Sequence, residues 1–309
     1  MKHCAESIKE ATRFGLGFPR PAIRWRPVAL AKRLVHHLAR IAQLPSGLQS
    51  AREHLLRVSL TTSLERDESC SSATCPICGS VVSAPGQIVR RPIGLFDIGP
   101  IVRYRCGDCD AVFGPMSVMA MASDRLIAEY KLLYSVYSEP DTTRYQLETF
   151  RALRPRQSEK ILNYACGNWK KGIRDLLSEG FDVYGYEPCL PKQHPRIATS
   201  LAELSAGSFN CVFSHNYIEH VQSPIEQFVA WKRLLGAGGR MAHSTACFQY
   251  LFDESPFHVC YLLGRSMERL AERVGLQICE RHTRGQGSRD EFMEIVVLAA
   301  SGTESREAR

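Results

Sequence analysis

The sequence predicts an α/β protein with a mainly parallel sheet in its C-terminal half, preceded by a small cysteine-rich module and a basic helical segment. Three observations predict this. Residues 158–300 alternate strand-like and helix-like patterns at the spacing of right-handed βαβ units. Two C-x-x-C pairs stand apart by 27 residues, Cys75/Cys78 and Cys106/Cys109. Residues 1–65 hold eleven Lys/Arg against four Asp/Glu, which is the whole formal charge of +7, so the rest of the chain is balanced.

Five regions follow from these patterns: a basic helical segment (1–69), a zinc ribbon (70–116), a helical bridge (117–157), a catalytic-type α/β domain (158–300) and a disordered tail (301–309). At 309 residues and 44% apolar content the chain can bury one large or two modest cores. It contains no apolar run of the length a membrane-spanning helix needs. The start "MKHCAESIKEATRFGLGFPRP" lacks a compact apolar h-region, and a cytoplasmic location is expected.

In the first region, "VALAKRLVHHLARIAQL" places Val28, Leu34, Val35, Leu38 and Ile41 at helical intervals with Lys32, Arg33 and Arg40 between them. Packing on the rest of the protein is the plainest reading. A membrane-surface contact and a nucleic-acid contact are the sharper ones.

The two C-x-x-C pairs bring four thiolates onto two tight knuckles, the ligand set of a tetrahedral structural Zn²⁺. Gly79 and Gly107 sit where a knuckle needs permissive backbone. A closed four-sulfur site leaves no position for water, so the metal supports folding rather than chemistry. Cys70 lies out of register. Cys166, Cys211, Cys247 and Cys279 stand singly among apolar residues, as buried free thiols would. A dithiol redox pair, or a ribbon that has lost its metal, is the competing reading of the cysteine module.

In the bridge, "SDRLIAEYKLLYSVY" and "DTTRYQLETFRAL" read as helices with Ser123 and Asp141 as N-caps. In the last domain, "KILNYA", "DVYGYEP", "FNCVFSH", "RMAHSTA" and "EIVVLAA" read as strands. "KKGIRDLLSEG", "SPIEQFVAWKRLL" and "SMERLAERVG" read as helices, the second with Ser223 as N-cap and Pro224 in the first helical position.

"ILNYACGNWKKG" is a strand, a glycine-containing turn and a helix start. Such an N-terminus favours a carboxylate or phosphate. Gly167 and the small Ala165 permit close backbone approach, while the three-glycine dinucleotide pattern is absent. Twenty residues after Gly167, Glu187 ends the second strand, where an acid commonly accepts hydrogen bonds from ribose hydroxyls.

The order of loop, acidic strand end, "FSHNYIEHV", helix, "LLGAGGRM" and "FHVCYLLGRSMERLAERVGL" resembles class I S-adenosylmethionine-dependent methyltransferases over about residues 70–300. It looks most like the small-molecule enzymes that often carry a four-cysteine zinc module ahead of the catalytic domain. The resemblance implies a Rossmann-like, seven-stranded, mainly parallel sheet with helices on both faces. It implies S-adenosylmethionine along the strand C-terminal ends. Asn163, Ala165, Cys166 and Gly167 match the loop near the methionine part, and Glu187 the ribose acid. Ser200 and Leu201 match the adenine contact. Ser214, His215 and Asn216 match the sulfonium side.

The sequence departs from the family where Asn163 replaces an acid, where Ala165 and Trp169 replace glycines, and where Asn210 replaces an early acid of the fourth strand. Trp169 is expected to narrow the cofactor entrance. His215, His220 and His258 are the candidate bases, since imidazole titrates near neutrality. Glu219 and His220 match part of a magnesium motif of the ubiquinone-biosynthesis O-methyltransferases, but Asn216 replaces its first acid. The segment "CFQYLFDESPFH" reads as a substrate lid.

The expected function is methyl transfer to O, N or C of a small-molecule or glycan acceptor. RNA methylation is the second enzyme reading, with Arg90, Arg91, Arg103 and Arg105 as suggestive cations. A non-catalytic cofactor-binding or scaffold protein is the third.

Overall fold

The computed structural model describes residues 46–64, 71–92, 94–138, 140–192, 194–285 and 292–300. The basic pattern over 28–44, Cys70 and the tail from 301 lie outside the described residues.

Helix α1 (Ser46–Leu64) buries Leu56, Leu60 and Leu64, spaced four apart so that they share one face. That face packs in one cluster with Ile98, Ile101, Val118, Leu133 and Val136. Strands β1 (Ser72–Thr74) and β2 (Val81–Ser83) form an antiparallel hairpin around the first cysteine knuckle. β3 (Gln87–Arg90), β4 (Ile101–Arg105) and β5 (Val112–Phe113) form an antiparallel sheet around the second. Helices α2 (Met116–Met119), α3 (Ser123–Val136) and α4 (Thr143–Ala152) follow. α3 is capped from Ala122 and α4 from Thr142, one residue from each expected cap, although Asp141 still accepts the Thr143 N–H at 2.9 Å.

The large sheet uses β6 (Lys160–Tyr164), β7 (Asp182–Tyr186), β8 (Ile197–Ala198), β9 (Phe209–His215), β10 (Leu235–Thr245), β12 (Leu276–Arg284) and β13 (Met293–Ala300). Helices α5 (Lys170–Ser178), α6 (Pro224–Leu234) and α7 (Ser266–Val274) connect them. The order is β12-β13-β10-β9-β6-β7-β8. The last five strands run parallel, and β13 is antiparallel to both β10 and β12.

Strand alternation builds a core on each face. Ile161, Phe213, Ile295 and Val297 join α4 and α5 through Phe150, Trp169, Ile173 and Leu176. Leu162, Val212, Val296 and Leu298 join α6 and α7 through Phe228, Trp231, Met267 and Leu270. Strand β12 has no counterpart in the sequence reading. After the buried Leu276, its alternation of half-buried and exposed residues, with Arg281 and Arg284 among the exposed ones, suits an edge strand. Cys279 sits there exposed, so that thiol is not the buried one expected from its neighbours.

The segment expected to be a lid is instead locked to the cysteine module. β11 (Cys260–Tyr261) pairs antiparallel with β5, extending the β3-β4-β5 sheet to four strands. Arg103, fully buried on β4, donates to the backbone oxygens of Asp253 (2.8 Å), Ser255 (2.7 Å) and His258 (3.0 Å). Arg90 pairs with Asp253, and Arg105 lies 3.8 Å from Asp110. Three of the four arginines that suggested an RNA surface are thus engaged within the protein; Arg91 is exposed. Helix α7 and its N-cap hold both knuckles: Arg273 donates to Ile77 O, and the N-cap residue Arg265 to Asp108 O at 3.0 Å.

Candidate active site

The parallel strands change direction of succession between β6 and β9, and the crevice beyond their carboxyl ends is where α/β sheets bind ligands. A cavity of about 1030 Å³ opens there. One wall comes from the ends of β6, β7 and β9 through Ala165, Gly167, Glu187, His215 and Asn216. The other comes from α3, the residue after it and α4 through Tyr130, Tyr134, Tyr137 and Gln146. Tyr164, Tyr186 and Tyr217 form its floor cluster, with ring centroids at 4.7 Å (Tyr164–Tyr186) and 5.5 Å (Tyr164–Tyr217).

The loop after β6 is held in an unusual backbone shape. Ala165 (φ 55°) and Gly167 (φ 57°) are both left-handed, a conformation that costs a non-glycine residue about 1–2 kcal/mol. Glu187 stabilises the loop: one carboxylate oxygen accepts the Gly167 N–H at 2.9 Å and the other accepts the Cys189 N–H at 2.8 Å. The Leu190 amide also bonds to this carboxylate, which leaves one lone pair for a ligand hydroxyl. Burial pushes the Glu187 carboxyl above its usual range, opposed by these backbone amides.

Not every expected contact reaches the cavity. Asn163 is buried behind it and donates to Gln146 Oε1 at 3.0 Å; Gln146, which the sequence reading missed, is the residue that lines the wall. Cys166 turns its side chain into the core above Gly185, where an added Cβ would meet its sulfur at 2.8 Å. Ser214, next to His215 on β9, bonds to His243 Nδ1 at 2.8 Å inside the protein and is fully buried. Ser200 and Leu201 lie apart from the cavity lining, because Ser200 and Glu203 form a capping box and Leu201 is exposed. Lys160 N donates to Asn210 Oδ1 at 2.8 Å, so Asn210 ties β9 to β6 at the end opposite the cavity.

Trp169 corrects the expectation of an aromatic entrance. It is fully buried in the core beneath the sheet, edge-on to Phe213 at 5.8 Å. Its indole lies over Gly172, where an added Cβ would sit 2.2 Å from Nε1.

The three candidate histidines divide. His215 lines the cavity, stacks on Tyr145 at 5.7 Å, and burial lowers its pKa to about 3. His220 also lines it, with Nδ1 2.9 Å from Tyr130 Oη and 3.0 Å from Phe257 O, and burial lowers its pKa to about 4. His258 packs edge-on to His220 at 4.8 Å, behind the cavity lining. Glu219, His220 and His258 offer ligand atoms within 4.8 Å of one another, and Glu219 accepts a hydrogen bond from Thr245 Oγ1 at 2.7 Å.

The four thiols of Cys75, Cys78, Cys106 and Cys109 converge with their sulfurs within 4.8 Å of one another. Cys75–Cys109 is 3.6 Å and Cys78–Cys106 is 3.4 Å. The knuckles are matched: Gly79 N donates to Cys75 O and Asp110 N to Cys106 O, both at 3.0 Å. The left-handed residues are Gly79 (φ 85°) and Asp110 (φ 69°), so Asp110 takes the role expected of Gly107.

Residues 142–281 match the family model described as a methyltransferase domain. No curated protein matches the sequence. Among solved structures, the chain is similar to phosphoethanolamine N-methyltransferase 2 of Haemonchus contortus, solved with phosphomonomethylethanolamine and S-adenosylhomocysteine. The identity is 15%, 59% of each chain is covered, and the TM-score is 0.39. An S-adenosylmethionine-dependent methyltransferase from Mesorhizobium loti is 13% identical over 50% of this chain and 96% of that one, with a TM-score of 0.37. A TehB-like S-adenosylmethionine-dependent methyltransferase from Corynebacterium glutamicum is 18% identical over 58% and 98%, with a TM-score of 0.36. The chain therefore spans little more than half the length of the Haemonchus enzyme. The match to the methyltransferase-domain model falls on the part of the chain that builds a sheet of this order with a cavity at its switch point.

Proposed function

We propose that the protein binds S-adenosylmethionine in the cavity beyond β6, β7 and β9 and transfers its methyl group to a hydroxylated small molecule or glycan. The observation that carries this reading is the convergence of the Gly167 loop, Glu187 and His215 on one cavity of about 1030 Å³. The cofactor supplies a methyl group already activated on a sulfonium, so the chain's task is alignment. In this reading Ala165 and Gly167 let the cofactor approach the loop backbone, and Glu187 accepts from the ribose hydroxyls. His215 and Asn216 border the transfer position. Tyr130, Tyr134 and Tyr137 offer ring faces and hydroxyls to the acceptor, and His220 stands behind Tyr130. The internal pairing of Arg90, Arg103 and Arg105 favours a small acceptor over RNA.

The four thiolates are proposed to hold a structural Zn²⁺. A tetrahedron with Zn–S of about 2.3 Å separates its sulfurs by about 3.8 Å, close to the spacings of 3.4 and 3.6 Å between the paired sulfurs.

Calorimetry with S-adenosylmethionine tests the first proposal directly, and no binding at millimolar cofactor would defeat it. Glu187→Ala is expected to weaken binding by about 1–3 kcal/mol, the scale for losing charged hydrogen bonds. Part of that loss arises because the Gly167 amide loses its anchor. Unchanged affinity would refute the assignment of Glu187 to the ribose.

A further inference from the structure

His215 belongs to a chain of hydroxyls whose direction can be worked out. Thr149 Oγ1 lies 2.8 Å from Tyr145 O, one helical turn earlier on α4. A carbonyl only accepts, so the single Thr149 hydroxyl hydrogen goes there. Thr149 Oγ1 also lies 2.5 Å from Ser244 Oγ on β10. With its hydrogen already placed, Thr149 accepts in this contact, and Ser244 donates. Ser244 Oγ in turn lies 2.9 Å from His215 Nδ1. Its own hydrogen is now committed to Thr149, so Ser244 accepts and His215 Nδ1 carries the proton. The neutral ring then has a bare Nε2. That nitrogen is buried and has no hydrogen-bond partner among the described residues, on a side chain that lines the cavity and is 9% exposed.

A buried polar atom without a partner is costly and calls for one. A bare imidazole nitrogen can only accept. We infer that Thr149 and Ser244 are positioning residues that fix His215 in its Nδ1–H form, so that Nε2 accepts a hydrogen bond from the O–H or N–H group of the methyl acceptor at the transfer position. The inference rests on the methyltransferase reading above and adds a chemical requirement: the acceptor atom carries a hydrogen. Burial keeps the ring neutral, with its pKa lowered to about 3, so at neutral pH it orients the group rather than storing its proton. Tyr145 is stacked on the His215 ring, and Arg144 lies over the Tyr145 ring, 5.8 Å from its centroid.

The test uses the full chain labelled with ¹⁵N-histidine, and three proteins: native, Thr149→Val and Thr149→Ser. In the native protein His215 is expected as the Nδ1–H tautomer. In Thr149→Val the Ser244 hydrogen has lost its acceptor and turns to Nδ1, so the ring switches to Nε2–H. Thr149→Ser restores the native form. A native Nε2–H tautomer, or no switch in Thr149→Val, overturns the relay.

The ligand side is read by two cofactor analogues. Sinefungin carries an amine where the transferred methyl stands, and S-adenosylhomocysteine has no donor there. The preference for sinefungin over S-adenosylhomocysteine is expected to fall about tenfold or more in Thr149→Val. A preference that does not change overturns the placement of Nε2 at the transfer position. Failure of the native protein to bind S-adenosylhomocysteine at all would instead count against the methyltransferase reading itself, and the tautomer measurement would still decide the relay.

Discussion

If the four thiolates hold zinc as proposed, Cys106→Ser is expected to lose it and to unfold the cysteine module together with the segment that closes the back of the cavity. Structural zinc contributes on the order of 10 kcal/mol or more of apparent binding free energy at neutral pH, and that binding is coupled to folding. The strands it organises are short: β1 and β2 have three residues each and β5 has two. Such elements cannot hold themselves together. The consequence reaches further than a separate bead of structure would allow. β11 pairs with β5, Arg103 holds the backbone of residues 253–258, and Arg265 just before α7 and Arg273 within it grip the two knuckles. Loss of the metal should therefore expose the amides of Cys260 and Tyr261 and loosen His258 behind His220. Two measurements check this: zinc per chain in the native protein, and hydrogen exchange at residues 257–263 with and without a chelator. Protection that survives complete removal of the metal would sink the idea.

Trp169→Ala is expected to destabilise the protein by about 3–5 kcal/mol, the range for deleting a large buried aromatic. The indole is fully buried, meets Phe213 edge-on, and covers Gly172 so closely that no Cβ fits there. The neighbouring helix cannot collapse into the space, because α5 is already packed through Ile173 and Leu176. Denaturant unfolding measures the loss. An entrance residue would behave otherwise, leaving stability nearly intact and changing cofactor affinity; that outcome would contradict the core placement. Gly172→Ala, which adds one methyl, should also destabilise by overpacking, by about 1–3 kcal/mol.

The sequence by itself determined the features that depend on local period and spacing. Short apolar runs separated by helix-like segments defined β6, β7, β9 and β13, and Pro224 after Ser223 marked the start of α6, because each signal lies within a few residues of the structure it sets. The two C-x-x-C pairs announced a four-thiol cluster, since the chemistry of sulfur leaves few other uses for that spacing. Gly167 and Glu187, one βαβ step apart, were legible as neighbours because adjacent parallel strands place their carboxyl ends together.

Only the tertiary structure decided what each side chain faces. Ser214 and His215 are consecutive, and the pleat sends one into the protein and the other to the cavity. Trp169 stands at a loop end where either side was open to it, and the space over Gly172 settled the matter. Arg103 read as a surface cation until β4 was buried beneath the 253–258 backbone, which supplied carbonyl partners from about 150 residues away. Thr149 and Ser244, separated by 95 residues, meet only because α4 crosses the sheet at β10. A local pattern fixes the direction of the backbone. Which distant group satisfies a buried polar atom is fixed by packing, and that is where the chemistry of His215 was decided.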